Sequence, residues 1–379
     1  MSKLDEYRKK IDVIDDQITT LYKQRMDLVR QVVEAKKENN VPTLVPDRER
    51  SIINRVTKKV DEPLKIYTKR LFETIFETSK SYQTKFSNND GVVRLFLNDL
   101  VNQPRSYLPS SASVVCQGVM GSYSSIACEK IFPISEISYV KTFENVFEAV
   151  ESGQSEFGIL PIENSTAGSV NAVYDLIKKH KAYIVASTTI SIRHCLLGNV
   201  GATKDSITEI YSHEQAISQC SEYLKQFTNA KIIPVANTAV AAKSVAMSTR
   251  IDVASISSKE CSSLYGLHII DGDIADNSNN YTRFICISKK PVVYANSTKI
   301  SLMANLPDEA GSLCKVLNRF YAEGINLTKL ESRPLTNSVF DFVFYFDIQA
   351  DIHKKEVIDL LVELSNSYNF TFLGSYMEI

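Results

Sequence analysis

The sequence lacks the features that mark nucleic-acid-binding, secreted and membrane proteins. Its 43 Lys and Arg residues are balanced by 44 Asp and Glu residues, so the net charge of -1 provides no chain-wide field for nucleic acid or anionic lipid. No apolar run approaches the roughly 20 residues of a membrane-spanning helix, and the charged start predicts no secretion signal. With 379 residues, 44% of them hydrophobic, we expect a globular protein of two or three domains.

Cysteine is scarce and scattered. The chain has seven cysteines, an odd number, and no two of them form a C-x-x-C pair. This spacing argues against a disulfide framework and against a zinc site. We therefore expect the protein in a reducing compartment, the cytoplasm.

Neither glycine nor proline occurs before Pro42, so nothing in this segment would break a helix. Apolar residues recur in it at steps of three, four and seven: Leu4, Ile11, Ile14, Ile18, Leu21, Leu28 and Val32. The pattern predicts one long helix with a narrow apolar seam. A helix of roughly 35 residues spans about 50 Å, more than a small domain covers. We expect a second copy of the chain to bury this seam, which gives an intertwined helical dimer.

Two further helices are predicted before a linker. Asp47 can cap a second helix that runs to about Val60, and Pro63 can begin a third that runs to about Phe86. Residues 1–88 therefore read as an all-α domain of three helices. Residues 89–111 contain Asn, Gly, Pro and Ser clusters and read as a linker with room for one short helix.

Seven polar residues on these helices form a pattern: Arg8, Arg25, Lys36, Arg48, Glu49, Ser79 and Gln83. Arg25 and Lys36 are about three turns apart and share a face, whereas Arg8 is about 25 Å from Arg25, too far to touch the same small anion within one copy. Each residue taken singly suits a solvated helix face. Together, in order and spacing, they resemble the active site of the all-helical chorismate mutases.

The resemblance implies an internal rearrangement of chorismate to prephenate, which needs no nucleophile, metal or cofactor. It implies that arginines hold the two substrate carboxylates and that Lys36 and Gln83 donate hydrogen bonds to the ether oxygen. Gln83 is neutral and can donate at any physiological pH. The sequence departs from this pattern at position 45, where it has Val and some relatives have Asp.

Strand and helix patterns alternate between residues 112 and 290, which predicts a doubly wound α/β arrangement. Four polar loops stand at strand ends, where α/β folds hold ligands. They are Gly118 to Ser124, Pro161 to Val170, Tyr211 to Gln215 with Gln219 one turn on, and Asp276 to Phe284. Helix capping by Ser165 or Ser169 is the structural alternative for the second loop. A lone His213 is more often structural than catalytic.

Together these loops resemble prephenate dehydratase. The resemblance implies two lobes, like those of periplasmic ligand-binding proteins, with prephenate between them. The residues it assigns to the substrate are Glu163, Asn164, Ser165, Ser212, Gln215, Gln219, Thr282, Arg283 and Phe284. It ties Thr282 most closely to catalysis. The glycine loop departs mildly from the family, with Val119, Ser122 and Tyr123 where Pro, Thr and Phe are usual.

Formation of phenylpyruvate from prephenate releases CO2 and hydroxide, and aromatisation drives it without cofactor or metal. A threonine hydroxyl is too weak an acid to lose its proton freely at pH 7, so we expect Thr282 to donate a hydrogen bond to the leaving hydroxide. Side chains alternate along a strand, so Thr282 and Arg283 should point to opposite sides. Arg283 either holds the side-chain carboxylate or supports the loop.

The order strand, helix, strand, strand, helix, strand is predicted over residues 298–379, an α+β module. It resembles the ACT domain, an amino-acid-sensing module, and the resemblance implies feedback inhibition by L-phenylalanine. The residues assigned to the effector are Gly311, Ser312, Leu313, Asn326, Leu327, Glu331, Ser332 and Arg333. Effector would bind between the first three of one copy and the Asn-Leu pair of another. A purely structural dimerisation wing is the alternative.

The leading hypothesis is thus a multidomain, bifunctional chorismate mutase and prephenate dehydratase that forms a homodimer or a higher oligomer. A transcriptional regulator, with helices on DNA and lobes on an effector, would need short helices joined by a tight turn, which the first long helix lacks. A dehydratase with an inactive helical dimerisation domain is the third interpretation. Retention of all seven mutase positions argues against it.

Overall fold

The computed structural model describes residues 2–39, 46–86, 91–103, 106–334 and 342–379. The three predicted N-terminal helices are confirmed as α1 Lys3–Asn39, α2 Pro46–Thr57 and α3 Glu62–Phe86. Helix α2 ends three residues before the predicted Val60. Pro42 and Val45 lie outside the described residues. Helices α1 and α3 are held together by a hydrogen bond from Tyr22 Oη to Thr78 Oγ1, of 2.9 Å.

The apolar seam of α1 is uncovered in the single chain. Its residues are Leu4, Ile11, Ile14, Ile18, Leu21, Leu28 and Val32, and their exposed fractions range from 44% to 63%. A row of this size exceeds the scattered apolar residues normal on a monomer surface. It is the surface expected of a helix whose packing partner is another molecule.

The predicted linker contains a helix, α4 Val92–Asn102, that belongs to the C-terminal module. Leu97 and Leu100 are buried in the apolar core of that module. Arg94 Nη1 lies 2.8 Å from Asp359 Oδ1, which fixes the helix there. Residues 89–111 are therefore not a simple spacer, since this helix fills part of another domain.

The first lobe of the middle domain is a sheet with helices on it. Its elements are β1 Ser113–Gln117, α5 Tyr123–Ile131, β2 Glu136–Val140, α6 Phe143–Ser152, β3 Phe157–Asn164, β4 Gly168–Ser169, α7 Asn171–Lys179 and β5 Tyr183–Ser191. The chain then leaves for the second lobe through residues 192–194.

The second lobe contains β6 Cys195–Gly198, a 3₁₀ turn Lys204–Ser206, β7 Glu209–Ser212, α8 Glu214–Gln219, α9 Ser221–Leu224, β8 Lys231–Pro234, α10 Thr238–Ser248, β9 Val253–Ser257, α11 Glu260–Tyr265 and β10 His268–Asp271. Its sheet order is β10-β6-β9-β7-β8. Strand β11 Tyr281–Ser288 returns to the first lobe and lies between β5 and β3, antiparallel to both. The predicted alternation and the two lobes are confirmed, with mixed rather than purely parallel sheets.

The predicted order of the C-terminal elements is confirmed: β12 Lys299–Asn305, α12 Ser312–Ala322, β13 Asn326–Pro334, β14 Phe342–Gln349, α13 Lys355–Ser367 and β15 Asn369–Glu378. The strand order is β13-β14-β12-β15, and β15 also pairs in parallel with β5. Among the described residues, ten strands thus form one sheet across two domains. Strand β15 passes β5 so closely that a Cβ on Gly374 would lie 2.0 Å from the Ile184 carbonyl oxygen.

Among the described residues, the helices include none that is both apolar enough and long enough to cross a membrane.

Candidate functional site

The pairing of β3 with β11 places four polar side chains on two faces of the sheet. Thr282 lies opposite Asn164, and Arg283 lies opposite Glu163. Asn164 Nδ2 donates to Thr282 Oγ1 at 2.9 Å, whereas Arg283 Nη2 contacts Asp347 Oδ2 of β14 at 2.6 Å. The predicted alternation of Thr282 and Arg283 is confirmed, and it separates a cleft face from a face against the C-terminal module.

A chain of hydrogen bonds runs from Thr282 into the second lobe. Asn164 Nδ2 also donates to Asn280 Oδ1 at 2.8 Å, and Asn280 Nδ2 donates to Gln219 Oε1 at 2.9 Å. The same Gln219 oxygen lies 2.9 Å from His194 Nε2. Because Asn164 donates to the Thr282 oxygen, the hydroxyl proton of Thr282 remains available for another acceptor.

Asn280 and His194 are members of this network that sequence reasoning missed. Both are buried, with exposed fractions of 1% and 2%. The position of Asn280 beside Thr282 could have been predicted from the sequence, because residues two apart on an extended chain share a side and Asn280 precedes Thr282 by two. His194 lies in the crossover between lobes, where no periodic pattern marks it.

His194 is held as a neutral imidazole with one defined tautomer. Gln219 Oε1 can only accept, so His194 Nε2 carries the hydrogen and donates to it. His194 Nδ1 is buried and has no hydrogen-bond partner among the described residues. Burial lowers the pKa of His194, since a charged ring there would be poorly solvated.

We expect this histidine to make stability fall in mild acid. A folded pKa below the unfolded value, near 6.5, means that the unfolded chain binds more protons, so stability present above about pH 6.5 is lost as pH falls. The loss is at most about 1.4 kcal/mol per pH unit. Urea unfolding at pH 7, 6 and 5 should show a smaller loss for His194→Gln than for wild type. His268→Gln, at an exposed histidine outside the network, is the control substitution. An equal loss of stability with falling pH in wild type and His194→Gln would contradict the assignment.

Ser165, Ser212 and Gln215 were also assigned to the substrate from the sequence. Ser165 Oγ accepts from the Tyr281 amide at 2.9 Å and donates to the Asn279 carbonyl at 3.0 Å, so it holds the loop before β11. Ser212 is buried and donates to the Ile256 carbonyl at 2.7 Å. Gln215 is exposed in the first turn of α8.

Three residues assigned to the substrate from the sequence lie elsewhere. Phe284 is 2% exposed and packs in the apolar core of the first lobe. Glu163 Oε1 lies 2.8 Å from Lys329 Nζ of the C-terminal module. Arg283 pairs with Asp347 on the same side. The structure thus does not bring these three side chains into the hydrogen-bond network of Thr282. Glu163 and Arg283 lie on the face against the C-terminal module, whereas Phe284, two residues beyond Thr282, is covered by the apolar core.

The two lobes touch where the glycine loop meets α11. Tyr265 Oη donates to the Met120 carbonyl at 2.7 Å. Gly121 has a φ of +84°, and a Cβ there would lie 2.8 Å from Leu264 Cδ2, so only glycine fits this approach. Ser122 caps α5 through its hydroxyl, which accepts from the Ser125 amide at 3.3 Å. The loop therefore forms one of the contacts between the two lobes.

A second polar group lies between α1 and α3. Arg25 Nη1 donates to Ser79 Oγ, and its guanidinium stands over the Phe76 ring, 5.9 Å from the centroid. Burial lowers the pKa of Arg25. Gln83 Oε1 is buried without a hydrogen-bond partner among the described residues. The Lys36 side chain lies outside the described residues, although its backbone belongs to α1.

The remaining residues of the chorismate mutase pattern make fewer contacts with the group formed by Arg25 and Ser79. Glu49 on α2 lies 3.1 Å from Lys80 Nζ on α3, so it reaches the helix that carries Ser79. Arg48 is exposed. Arg8 is 67% exposed, and its contact is with Asp5 at 4.0 Å. One copy of the chain therefore does not bring Arg8 to Arg25, in agreement with their spacing along the helix.

The residues assigned to an effector divide into two groups. Gly311, at φ +92°, precedes α12, and Ser312 and Leu313 begin the helix; Asn326 and Leu327 begin β13. Glu331 instead accepts from Ser169 Oγ at 2.7 Å, and Arg333 Nη2 lies 3.2 Å from Asp175. Glu331 and Arg333 thus join the C-terminal module to the first lobe, while Ser332 between them is exposed.

No cluster of three or more potential metal ligands was found in the part of the chain that the structure describes. The seven cysteines are all free, and six of them are buried.

Comparison with known proteins matches two families to separate parts of the chain. Residues 7–84 match chorismate mutase type II, and residues 114–292 match prephenate dehydratase. A bifunctional chorismate mutase/prephenate dehydratase from Buchnera aphidicola subsp. Schizaphis graminum is 32% identical; the match covers 98% of this chain and 95% of that relative.

Two solved structures share the fold of the larger part. Prephenate dehydratase from Arthrobacter aurescens in complex with L-Phe is 26% identical, with a TM-score of 0.63, and covers 70% of this chain and 89% of its own. GqqA, described as a novel type of quorum quenching acylase, is 28% identical with a TM-score of 0.63, and covers 69% and 97%. Because one fold hosts different activities, the structural likeness alone does not fix the reaction.

Proposed function

Because this chain belongs to the bifunctional chorismate mutase/prephenate dehydratase family, we propose an assignment of its two reactions to the two polar groups described above. The enzyme rearranges chorismate to prephenate and then decarboxylates and dehydrates prephenate to phenylpyruvate. The free, mostly buried cysteines support a reducing compartment such as the cytoplasm.

The rearrangement belongs to the group between α1 and α3. Arg25, with Arg48 and with Arg8 of a second copy, holds the two carboxylates of chorismate. Lys36 and Gln83 donate to the ether oxygen as its bond breaks, and Glu49 and Ser79 hold the substrate and the arginine. The amide oxygen of Gln83 is buried and has no hydrogen-bond partner among the described residues, which supports a polar site at this position.

The dehydration belongs to the cleft face of β11. Thr282 donates a hydrogen bond to the hydroxide that leaves the ring, and Asn164 holds the threonine oxygen from the other side. The bond of 2.9 Å from Asn164 Nδ2 to Thr282 Oγ1 carries this assignment, because it leaves the hydroxyl proton for the substrate. Ser165, Ser212, Gln215 and Gln219 complete the polar surroundings of prephenate.

The assay that tests the function supplies chorismate to the purified protein and follows prephenate and phenylpyruvate separately. Both products should appear in sequence, and added prephenate should be converted without chorismate. A protein that converts prephenate but leaves chorismate unchanged would have an inactive helical domain, which is the alternative interpretation.

We also propose that L-phenylalanine binds the C-terminal module and inhibits dehydration. The arrangement of Gly311 to Leu313 at a helix start and Asn326 and Leu327 at an edge strand supports a site completed by another copy. The L-Phe in the Arthrobacter aurescens relative supports this ligand for the present chain.

Titration calorimetry on the full-length protein should detect L-phenylalanine binding, and D-phenylalanine should not bind comparably. Couplings between sites are about 1 to 3 kcal/mol, so saturating L-phenylalanine should weaken substrate binding at least about fivefold, and saturating prephenate should weaken effector binding by the same factor. Absence of both binding and inhibition would make the module purely structural.

We expect a second copy to cover the exposed seam of α1. Ile18 is 56% exposed in the single chain, so an Asp there costs the isolated chain little but places a charge in a dimer contact. Sedimentation equilibrium should show a dimer or larger assembly for wild type and a shift toward monomer for Ile18→Asp. The neighbouring change Thr19→Asp, off the seam, should leave the assembly unchanged; a wild-type monomer would contradict the proposal.

A further inference from the structure

We propose that Arg283 is a positioning residue for the dehydration, which holds Thr282 in place by anchoring β11 to the C-terminal module through Asp347. The proposal rests on the assignment of Thr282 to the dehydratase site. It gives Arg283 a role on the face of the sheet opposite the substrate. Asp347 thereby becomes a determinant of a reaction that takes place in another domain.

Because Thr282 and Arg283 belong to one strand, a movement on one face of β11 also moves the other face. Thr282 and Arg283 are consecutive, and β11 is hydrogen-bonded on both sides, to β5 and β3. A strand held in this way moves as a unit, so a shift of the Arg283 backbone displaces the Thr282 hydroxyl. Asn164, which holds that hydroxyl, is in turn the neighbour of Glu163 on β3.

Each of these two strands is attached to the module by a charged pair. The side chains of Arg283 and Asp347 are only 14% and 11% exposed, and their charged atoms are 2.6 Å apart. Glu163 contacts Lys329 of β13 at 2.8 Å. Glu163, which precedes Asn164 on β3, and Arg283, which follows Thr282 on β11, are thus both held by the C-terminal module on the same side of the sheet.

Asp347 is itself fixed within the module. Ser301 Oγ on β12 donates to Asp347 Oδ1 at 2.6 Å, and Ser301 also shares a hydrogen bond of 2.9 Å with Tyr376 Oη on β15. Asp347 on β14 therefore links the positions of β12 and β15 to Arg283. A small cavity of about 10 Å³ lies beside the pair and is lined by Tyr174 and Tyr345.

The test is Asp347→Asn in the full-length enzyme, which removes the charge on the module side and leaves every cleft side chain in place. Arg283 would then retain its longer contact, of 3.5 Å to Glu163, and should shift toward that side chain. We expect kcat for prephenate to fall at least tenfold with KM within twofold, since Asp347 does not touch the substrate. Mutase activity should stay within twofold, which also reports that the protein is folded.

The matched control is Glu363→Gln. Glu363 forms another buried arginine–carboxylate pair of the same module, with Arg319 at 2.6 Å, and that arginine also donates to Ser81 of α3 rather than to the cleft strands. We expect dehydration by this variant to stay within twofold of wild type. An equal loss in both variants would mean that the module is merely destabilised, and the proposal would fail.

A milder change keeps the proposal testable if Asp347→Asn does not fold. Ser301→Ala removes one hydrogen bond to Asp347 without altering charge, and should lower kcat in the same direction by a smaller factor. Wild-type kcat in Asp347→Asn alongside an inactive Thr282→Ala would overturn the role of Arg283 and leave the assignment of Thr282 intact. If Thr282→Ala is also active, the assignment of the dehydratase site itself is wrong.

Discussion

Thr282→Ala is expected to lower the rate of phenylpyruvate formation from prephenate by roughly 10² to 10³, the usual effect of removing one donor to a developing negative charge. The change deletes one hydroxyl that Asn164 holds at 2.9 Å, so folding should be little affected. The measurement compares initial rates with prephenate and with chorismate on the same preparation. The chorismate reaction should keep its wild-type rate.

The matched control for this variant is Thr282→Ser, which keeps the hydroxyl and loses only a methyl group. It should retain most of the dehydratase activity. Dehydration at the wild-type rate in Thr282→Ala would remove this residue from the mechanism. A parallel loss in alanine and serine variants would point to packing rather than to the hydroxyl.

Lys36→Ala is expected to have the converse effect, with the rearrangement of chorismate reduced by roughly 10² to 10³ and dehydration of prephenate nearly intact. The reason is that a charged donor to the ether oxygen acts mainly as that bond breaks. The measurement is the disappearance of chorismate, with added prephenate as the second substrate. Lys10→Ala changes an exposed lysine of the same helix, paired with Glu6 at 2.7 Å, and should leave both rates unchanged.

If both activities fell together in a folded Lys36→Ala protein, the two reactions would not have separate sites. The family matches to residues 7–84 and 114–292 place the two activities in different parts of the chain. The variant pair Lys36→Ala and Thr282→Ala therefore tests the division in both directions.

The helices and strands could be predicted because their patterns are local. The seam of α1 and the stripe Val357, Leu360, Leu361 and Leu364 on α13 follow from a period of 3.6 residues, and both helices are present. The period of two along β11 likewise predicted that Thr282 and Arg283 separate. The partner of Arg283 could not be predicted, because it depends on which domain covers the other face of the sheet.

The domain to which α4 belongs could not be predicted from the sequence either. Its sequence, Val-Val-Arg-Leu-Phe-Leu-Asn-Asp-Leu-Val-Asn, is amphipathic enough to predict a short helix, but the sequence does not say which core it joins. The structure assigns Leu97 and Leu100 to the C-terminal core, more than 190 residues further along the chain, counting from residue 100 to 298. His194 was missed for a related reason, since its role arises from its contact with Gln219 on α8 rather than from its neighbours in sequence.

The pairing of β15 with β5 has a practical consequence for handling the protein. The last residue, Ile379, donates its amide to the Ser187 carbonyl at 2.8 Å and accepts from Thr188 Oγ1 at 2.7 Å. Trimming the carboxyl terminus, or excising the module, would strip β5 of a neighbour and leave an unpaired strand edge, which favours aggregation. A fragment that lacks β15 is therefore expected to aggregate, so the regulation of this enzyme is better studied with the C-terminal module in place.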